Sequence, residues 1–246
     1  PSTDGHLVMA YLFLKAQGLA GKPVADIRID GAGNKVTRSD NCRVSDLSVS
    51  SDNLTFTYEA KSLPYPIDTS YYDNEKHTQA DALSVIPFMD EMNYEGLSVS
   101  GLSDGYYGLT IGGEFIGRFT ARELERGINM ALLQNTPQYK QAMKIRQMNE
   151  ERWLKERKMR EFYWVEYNLM RKTGMLWACD EAAVDTLRKY RPHDIFLQWN
   201  GDLWLQYMHK GIREDCVNEQ QNLVDRIYEQ NKPIPLRIEI KKFTDL

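Results

Sequence analysis

The chain has 246 residues, of which 42% are hydrophobic and 27% charged, a composition that fits one large globular domain or two modest ones and excludes a disordered tail. Lys and Arg total 31 against 35 Asp and Glu, so the formal charge of −4 supplies no global positive field, and no nucleic-acid partner is expected. The longest uninterrupted apolar run, residues 7–14, falls well short of the roughly 20 residues a membrane-spanning helix needs.

The chain opens at Pro1 with neither Met nor a signal pattern, which reads as a fragment or a processed chain. Ser2 or Thr3 is placed to cap a helix over residues 4–17, and Gly18 sits where that helix would stop. Leu7, Val8, Met9, Tyr11, Leu12, Phe13 and Leu14 make it apolar around most of its circumference, the mark of a helix inside a larger body. From Val24 the period changes to two. Ala25, Ile27 and Ile29 alternate with Asp26, Arg28 and Asp30 before the Gly31-Ala-Gly-Asn34 turn. Further alternating runs at 44–49, 54–60, 97–99, 106–111 and 114–119 predict two small packed sheets over residues 24–119. Residues 63–76, rich in Pro, Tyr and Asp, are expected to cross a surface.

Thr120, with Glu123 three residues on, has the form of a capping box, and from there the pattern is helical. No Gly or Pro interrupts residues 138–172, long enough for roughly 50 Å of helix, yet the apolar positions keep no strict heptad and disfavour a two-stranded coiled coil. Residues 180–190 and 217–229 read as two more helices, and 199–208 as a helix or an aromatic loop. Residues 235–243 alternate as a terminal strand added to the edge of the β region. The expected class is α+β: a helix, a β-rich domain at 23–119, a helical region at 120–232, and a terminal strand and tail at 233–246.

No catalytic constellation is complete in these residues. Ser103, in Gly101-Leu-Ser103-Asp104-Gly105, has the flanks of a reactive serine, but a turn between two strands asks for the same residue types. Gly112-Gly113 reads as a hairpin turn and not as a phosphate loop. His6, His77, His193 and His209 have no partner at metal or triad spacing, and His209 reads as a partly buried packing residue. Cys42, Cys179 and Cys216 form no metal motif and leave open one bridge with a free thiol. Arg152, Lys155, Arg157, Lys158 and Arg160 interleave with Glu150, Glu151, Glu156 and Glu161 as a solvated helix face does. Most of the five Trp and fourteen Tyr are expected in cores, although Trp199 and Trp204 could form a sugar-stacking platform.

The segment Pro1-Ser-Thr-Asp-Gly5-His6-Leu-Val-Met-Ala10-Tyr-Leu-Phe-Leu-Lys15-Ala-Gln-Gly18-Leu resembles the end of the SGNH (GDSL-type) hydrolase domain, where an Asp-x-x-His-Pro motif precedes Gly-His and a closing helix. Pro1 then matches the motif's Pro, His6 matches the non-catalytic His, and residues 1–22 are the closing helix of the SGNH domain. Further stretches resemble the C-terminal extension of a bacterial branch of these hydrolases: Leu63-Pro-Tyr-Pro-Ile67, Val99-Ser-Gly-Leu102 with Gly105-Tyr-Tyr-Gly-Leu-Thr-Ile111, and Gly117-Arg-Phe-Thr-Ala-Arg-Glu-Leu124 with Gly127-Ile-Asn-Met-Ala131. Thr136-Pro-Gln-Tyr-Lys-Gln-Ala142, leading into a charged helix, fits the same branch. The resemblance covers most of residues 1–172 and adds little over 173–230. It implies ester hydrolysis by a Ser-His-Asp triad without cofactor or metal. It also implies a small-molecule or glycan ester as substrate and a periplasmic or secreted bacterial location. The catalytic residues are expected before Pro1, so these 246 residues alone are expected to be inactive. The alternative is a non-enzymatic β-plus-helical module binding carbohydrate or a protein.

Overall fold

A computed structural model describes residues 2–70 and 76–243 of the chain. It is α+β, and it divides into two compact units, residues 1–144 with 231–246, and residues 145–230.

The first unit begins with α1 (Thr3–Ala16). Pro1, which anchors the SGNH-like motif, lies outside the described residues. Ser2 takes the extended N-cap conformation, but its hydroxyl turns to Asp4, and the Asp4 carboxylate instead receives the Gly5 N–H at 2.8 Å. The helix ends as expected on Gly18 at φ +73°. Two sheets follow. β1 (Ala25–Asp30) pairs antiparallel with β2 (Lys35–Asp40) and parallel with β5 (Glu95–Ser100), which carries the two-residue β8 (Ile128–Asn129) at its other edge. The second sheet has the order β3 (Cys42–Val49), β4 (Asn53–Ala60), β9 (Leu236–Lys242), β6 (Tyr106–Ile111), β7 (Glu114–Thr120). The inward faces of both sheets share one core, with Ile27, Leu97 and Val99 from the first and Phe56, Leu109 and Ile240 from the second all buried. Each such side chain is worth about 1.5–3 kcal/mol once removed from water.

Two expectations need correction here. The terminal strand is not an edge strand: β9 lies between β4 and β6 and is hydrogen-bonded on both sides. Its alternation, with Leu236, Ile238 and Ile240 buried, fits a central strand as well as an edge one, so sequence alone could not place it. The proline-rich segment is not wholly superficial. Ile67 and Asp68 are buried, with Ile67 packed beneath α1 and the Ile67 carbonyl accepting from the Tyr139 hydroxyl at 2.9 Å. Positions 71–75 of that segment lie outside the described residues. The turns behave as predicted: Gly112 and Gly113 both take positive φ between β6 and β7.

After the one-turn helix α2 (Phe88–Glu91), α3 (Ala121–Arg126) starts at the predicted capping box, the Thr120 hydroxyl accepting from Glu123 N–H at 3.2 Å and the Glu123 carboxylate from Thr120 N–H at 2.7 Å. α4 (Pro137–Val165) begins in this unit and continues into the second.

In the second unit α4 passes into one turn of π-helix at Glu166–Met170, so the long gap-free segment is not one uniform α-helix. α5 (Glu181–Tyr190) is capped by Asp180, and α6 (Ile195–Tyr207) by Asp194, which settles the aromatic stretch as helix. α7 (Lys210–Gln230) starts earlier than residue 217. The charged face of α4 is laced as its spacing implied, with Arg157–Glu161 at 2.7 Å, Arg152–Glu156 at 3.5 Å and Lys155 reaching Glu219 on α7 at 2.5 Å. No described helix is long and apolar enough to cross a membrane.

Candidate functional site

The serine singled out by its glycine-rich flanks sits where β5 turns into β6. Gly101 (φ +75°) and Gly105 (φ +144°) shape the turn, both in backbone conformations that favour glycine. Lys242 Nζ donates to Ser103 Oγ at 2.7 Å. The Tyr107 hydroxyl lies 3.1 Å from that oxygen and donates to the Ser103 carbonyl at 2.9 Å. A serine nucleophile needs a group that removes its proton. Lys242 is a donor in this contact and Tyr107's proton is committed to the carbonyl. The Ser103 hydroxyl is hydrogen-bonded to no histidine or carboxylate among the described residues, so the cluster fastens a turn to the end of β9 and holds no Ser-His-Asp arrangement.

The histidines are dispersed. His6, His77, His193 and His209 are all exposed, so His209 is not the packing residue its aromatic neighbours implied. His77 Nδ1 lies 3.9 Å from an Asp4 carboxylate oxygen. Cys42 and Cys216 are buried and Cys179 is exposed, all three free. Among the described residues no group of His, Cys, Asp and Glu could hold a metal ion.

The helical unit holds a more unusual arrangement. Glu166, on the π-turn, is buried with no cation partner among the described residues, its two oxygens accepting from Trp204 Nε1 at 2.8 Å and from the Trp177 N–H at 2.9 Å. Trp177 has φ +65°, a left-handed conformation that a bulky side chain rarely adopts and that collects at functional sites. The Glu166 carboxylate holds that backbone in place. The indole of Trp177 meets Tyr163 and Tyr167 edge-on, at centroid distances of 6.0 and 5.9 Å, above buried Phe162. Tyr163, Tyr167 and Trp177 are exposed, and Arg171 lies 5.8 Å from the Tyr167 ring centroid. A second aromatic group joins Trp164, Phe196 and Trp199, with centroids 5.2 and 5.5 Å apart. The pairing of Trp199 with Trp204 as a platform fails: Trp199 is 66% exposed while Trp204 is fully buried on Glu166. Sequence reasoning missed Glu166 because one Glu among the many of α4 carries no mark, and Trp177 because a positive φ is not written in a Leu-Trp-Ala stretch.

The described residues thus define an α+β protein with a β-rich unit, a helical unit bearing exposed aromatic surfaces, and no complete acyl-transfer site. Residues 143–232 match the diltiazem deacetylase C-terminal helical domain. Over 99% of its length the chain is similar in structure to a gut microbial diltiazem-metabolizing enzyme, with TM-score 0.93 and 39% sequence identity. The chain spans only 55% of that enzyme's length. No curated protein sequence matches it. The family match falls largely on the region where the SGNH resemblance added least.

Proposed function

We propose that this chain is the C-terminal portion of an ester hydrolase of the SGNH type, whose Ser-His-Asp triad lies in a part of the polypeptide outside these 246 residues. The observation that carries the reading is similarity along the whole chain to an enzyme almost twice as long, together with the match of residues 143–232 to a deacetylase domain. In this reading residues 1–22 complete the catalytic domain. The residues of this chain contribute a wall or lid to the acyl-transfer site, and the substrate is a small-molecule or glycan ester. The reading brings with it a periplasmic or secreted bacterial location, which a compartment reporter fused to the whole reading frame tests.

The faces of α1 support the first element of this proposal. Leu7 and Tyr11 are buried against the first unit, while Met9, Leu12 and Phe13, on the opposite side of the helix, are 59%, 56% and 64% exposed. Ser103, beside Lys242 and Tyr107, has no His-Asp pair on its hydroxyl among the described residues, which supports inactivity of these residues alone.

The test is hydrolysis of p-nitrophenyl acetate by the product of the whole reading frame and by the 246-residue chain. Activity confined to the longer protein and abolished by a serine-directed phosphonate is expected. An upstream sequence without Gly-Asp-Ser and Asp-x-x-His blocks would overturn the proposal. Turnover by the 246 residues that is lost in Ser103→Ala would overturn it equally. A second reading, a carbohydrate-binding module, rests on exposed Phe196 and Trp199 beside half-buried Trp164; glycan binding unaffected by Trp199→Ala would remove it.

A further inference from the structure

Glu95, the first residue of β5, is fully buried beneath the two sheets. One carboxyl oxygen, Oε1, accepts from the Tyr58 hydroxyl on β4 at 2.8 Å and from Gln138 Nε2 in the first turn of α4 at 3.2 Å. The other, Oε2, has no partner, and neither has Gln138 Oε1; both atoms are buried. Two acceptors stranded on the two side chains that already share one hydrogen bond form half of a known ring. A carboxylic acid and a primary amide pair through two bonds, amide N–H to carboxyl oxygen and carboxyl O–H to amide oxygen. Only a proton on Glu95 Oε2 supplies the second.

We propose that Glu95 and Gln138 form a proton-dependent latch, a cyclic acid–amide pair that fastens the first turn of α4 to strand β5 and opens when Glu95 loses its proton. A buried acceptor without a donor has lost its hydration and gained nothing in return, so the closed ring removes two such costs at once.

Among the described residues no cation pairs with Glu95. From β1, Ala25 stands opposite Glu95; from β8, Asn129 accepts the Glu95 N–H at 2.9 Å; from β4 comes the Tyr58 phenol, with the Cys42 thiol on β3 beside it. On α4 the nearest charged residue in sequence, Lys140, is paired with Glu114. Burial raises the Glu95 carboxyl to about 7, outweighing the two hydrogen bonds, which favour the carboxylate. Burial and the neighbouring Glu95 together push the Tyr58 phenol up, so Tyr58 remains a donor throughout. Because the folded value lies above that of an unfolded carboxyl, the latch's contribution is whole below the unfolded value. It is lost as pH rises through about 7. The proton leaves to solvent, and the carboxylate then faces the Gln138 carbonyl oxygen.

Infrared spectroscopy of the whole chain tests this. The carbonyl stretch of a protonated, hydrogen-bonded carboxyl is expected in the wild type below neutral pH. It should disappear as pH rises through about 7 and be absent from Glu95→Gln, whose amide keeps the ring but cannot titrate. Gln138→Leu should keep the band but move it to higher frequency, the mark of an acid that has lost its O–H acceptor. Between about pH 5 and pH 8.5 the wild-type Tm is expected to fall by roughly 5–10 °C relative to Glu95→Gln. No carboxyl band in the wild type, or a band at the same frequency in Gln138→Leu, overturns the latch. Parallel Tm profiles for wild type and Glu95→Gln overturn the pH dependence.

Discussion

Replacing Glu166 by Leu should be among the most damaging single changes to the helical unit. The substitution leaves two donors without their acceptor, the indole N–H of fully buried Trp204 and the backbone N–H of half-exposed Trp177. An orphaned buried donor costs about 1–3 kcal/mol. Trp204 should bear the upper part of that range and Trp177, close to solvent, the lower. Leu recovers about 1 kcal/mol by burying apolar surface in place of the carboxyl. The net loss is about 2–4 kcal/mol, a large fraction of the stability of a unit this size. Gln at the same position keeps one acceptor oxygen but sets its amide N–H₂ against the second donor, so it should lose about half as much. All five tryptophans, Trp153, Trp164, Trp177, Trp199 and Trp204, lie in this unit, so intrinsic fluorescence during urea unfolding reports on it selectively. The cycle with Trp204→Phe separates the Trp204 bond from the rest, and the double variant should lose about 1–2 kcal/mol less than the sum of the singles. An unchanged fluorescence midpoint in Glu166→Leu, or strict additivity with Trp204→Phe, would refute the claim that this carboxylate ties the Trp204 indole to the Trp177 backbone.

Three further outcomes follow from other parts of the chain. Asn129 makes all four hydrogen bonds its amide allows, accepting from Glu95 and Ala131 N–H and donating to the carbonyls of Met89 and Asn93; Asn129→Asp turns two donors into repelled acceptors and should cost about 2–4 kcal/mol in denaturant unfolding followed by circular dichroism. In the 246-residue chain, Leu12→Ser with Phe13→Ser should raise the concentration at which aggregation begins and leave Tm nearly unchanged, whereas Leu7→Ala should lower Tm by roughly 5–10 °C, as expected for a buried leucine. A thiol reagent should modify Cys179 alone in the folded chain and all three cysteines after denaturation, because Cys42 and Cys216 are buried and burial also pushes the Cys42 thiol up, away from the reactive thiolate.

Much of the fold was legible because local signals and tertiary structure agree. The alternation in β1 and β6, the Thr120–Glu123 box, the paired glycines of the β6–β7 turn and the charge ladder on α4 each rest on contacts within a few residues. What was not legible depends on partners far along the chain. The alternation of β9 tells which face of the strand is buried but not which strands it joins. Its insertion between β4 and β6 is a pairing over more than a hundred residues. Glu95 and Glu166 are indistinguishable in sequence from surface glutamates; only the fold removes their water and selects their donors. The same holds for Asn129, whose stretch Gly127-Ile-Asn-Met-Ala131 is recognisable as a motif, although only the folded unit shows why its amide is needed.

At the start of the chain stands α1. Its composition marks it as apolar on nearly every side, yet in the described structure only one face is covered. Leu7 and Tyr11 lie on that face over Ile67, Ala82 and Phe88, and Tyr11 and Lys15 are fixed by Glu91 at 2.7 Å each. Met9, Leu12 and Phe13 occupy positions i, i+3 and i+4 and so form one stripe, displaced by about half a turn from the covered face. A surface helix has no use for two opposed apolar faces; a helix held between two layers needs both. Left wet, the second stripe forgoes about 1.5–3 kcal/mol for each large side chain, comparable in sum with the stability margin of a domain. The proposed esterase reading supplies the missing layer, because a helix that closes a catalytic domain while resting on the β-rich unit would bury both faces and couple the position of that domain to Glu91 and the 3₁₀ turn at Gln79–Ser84.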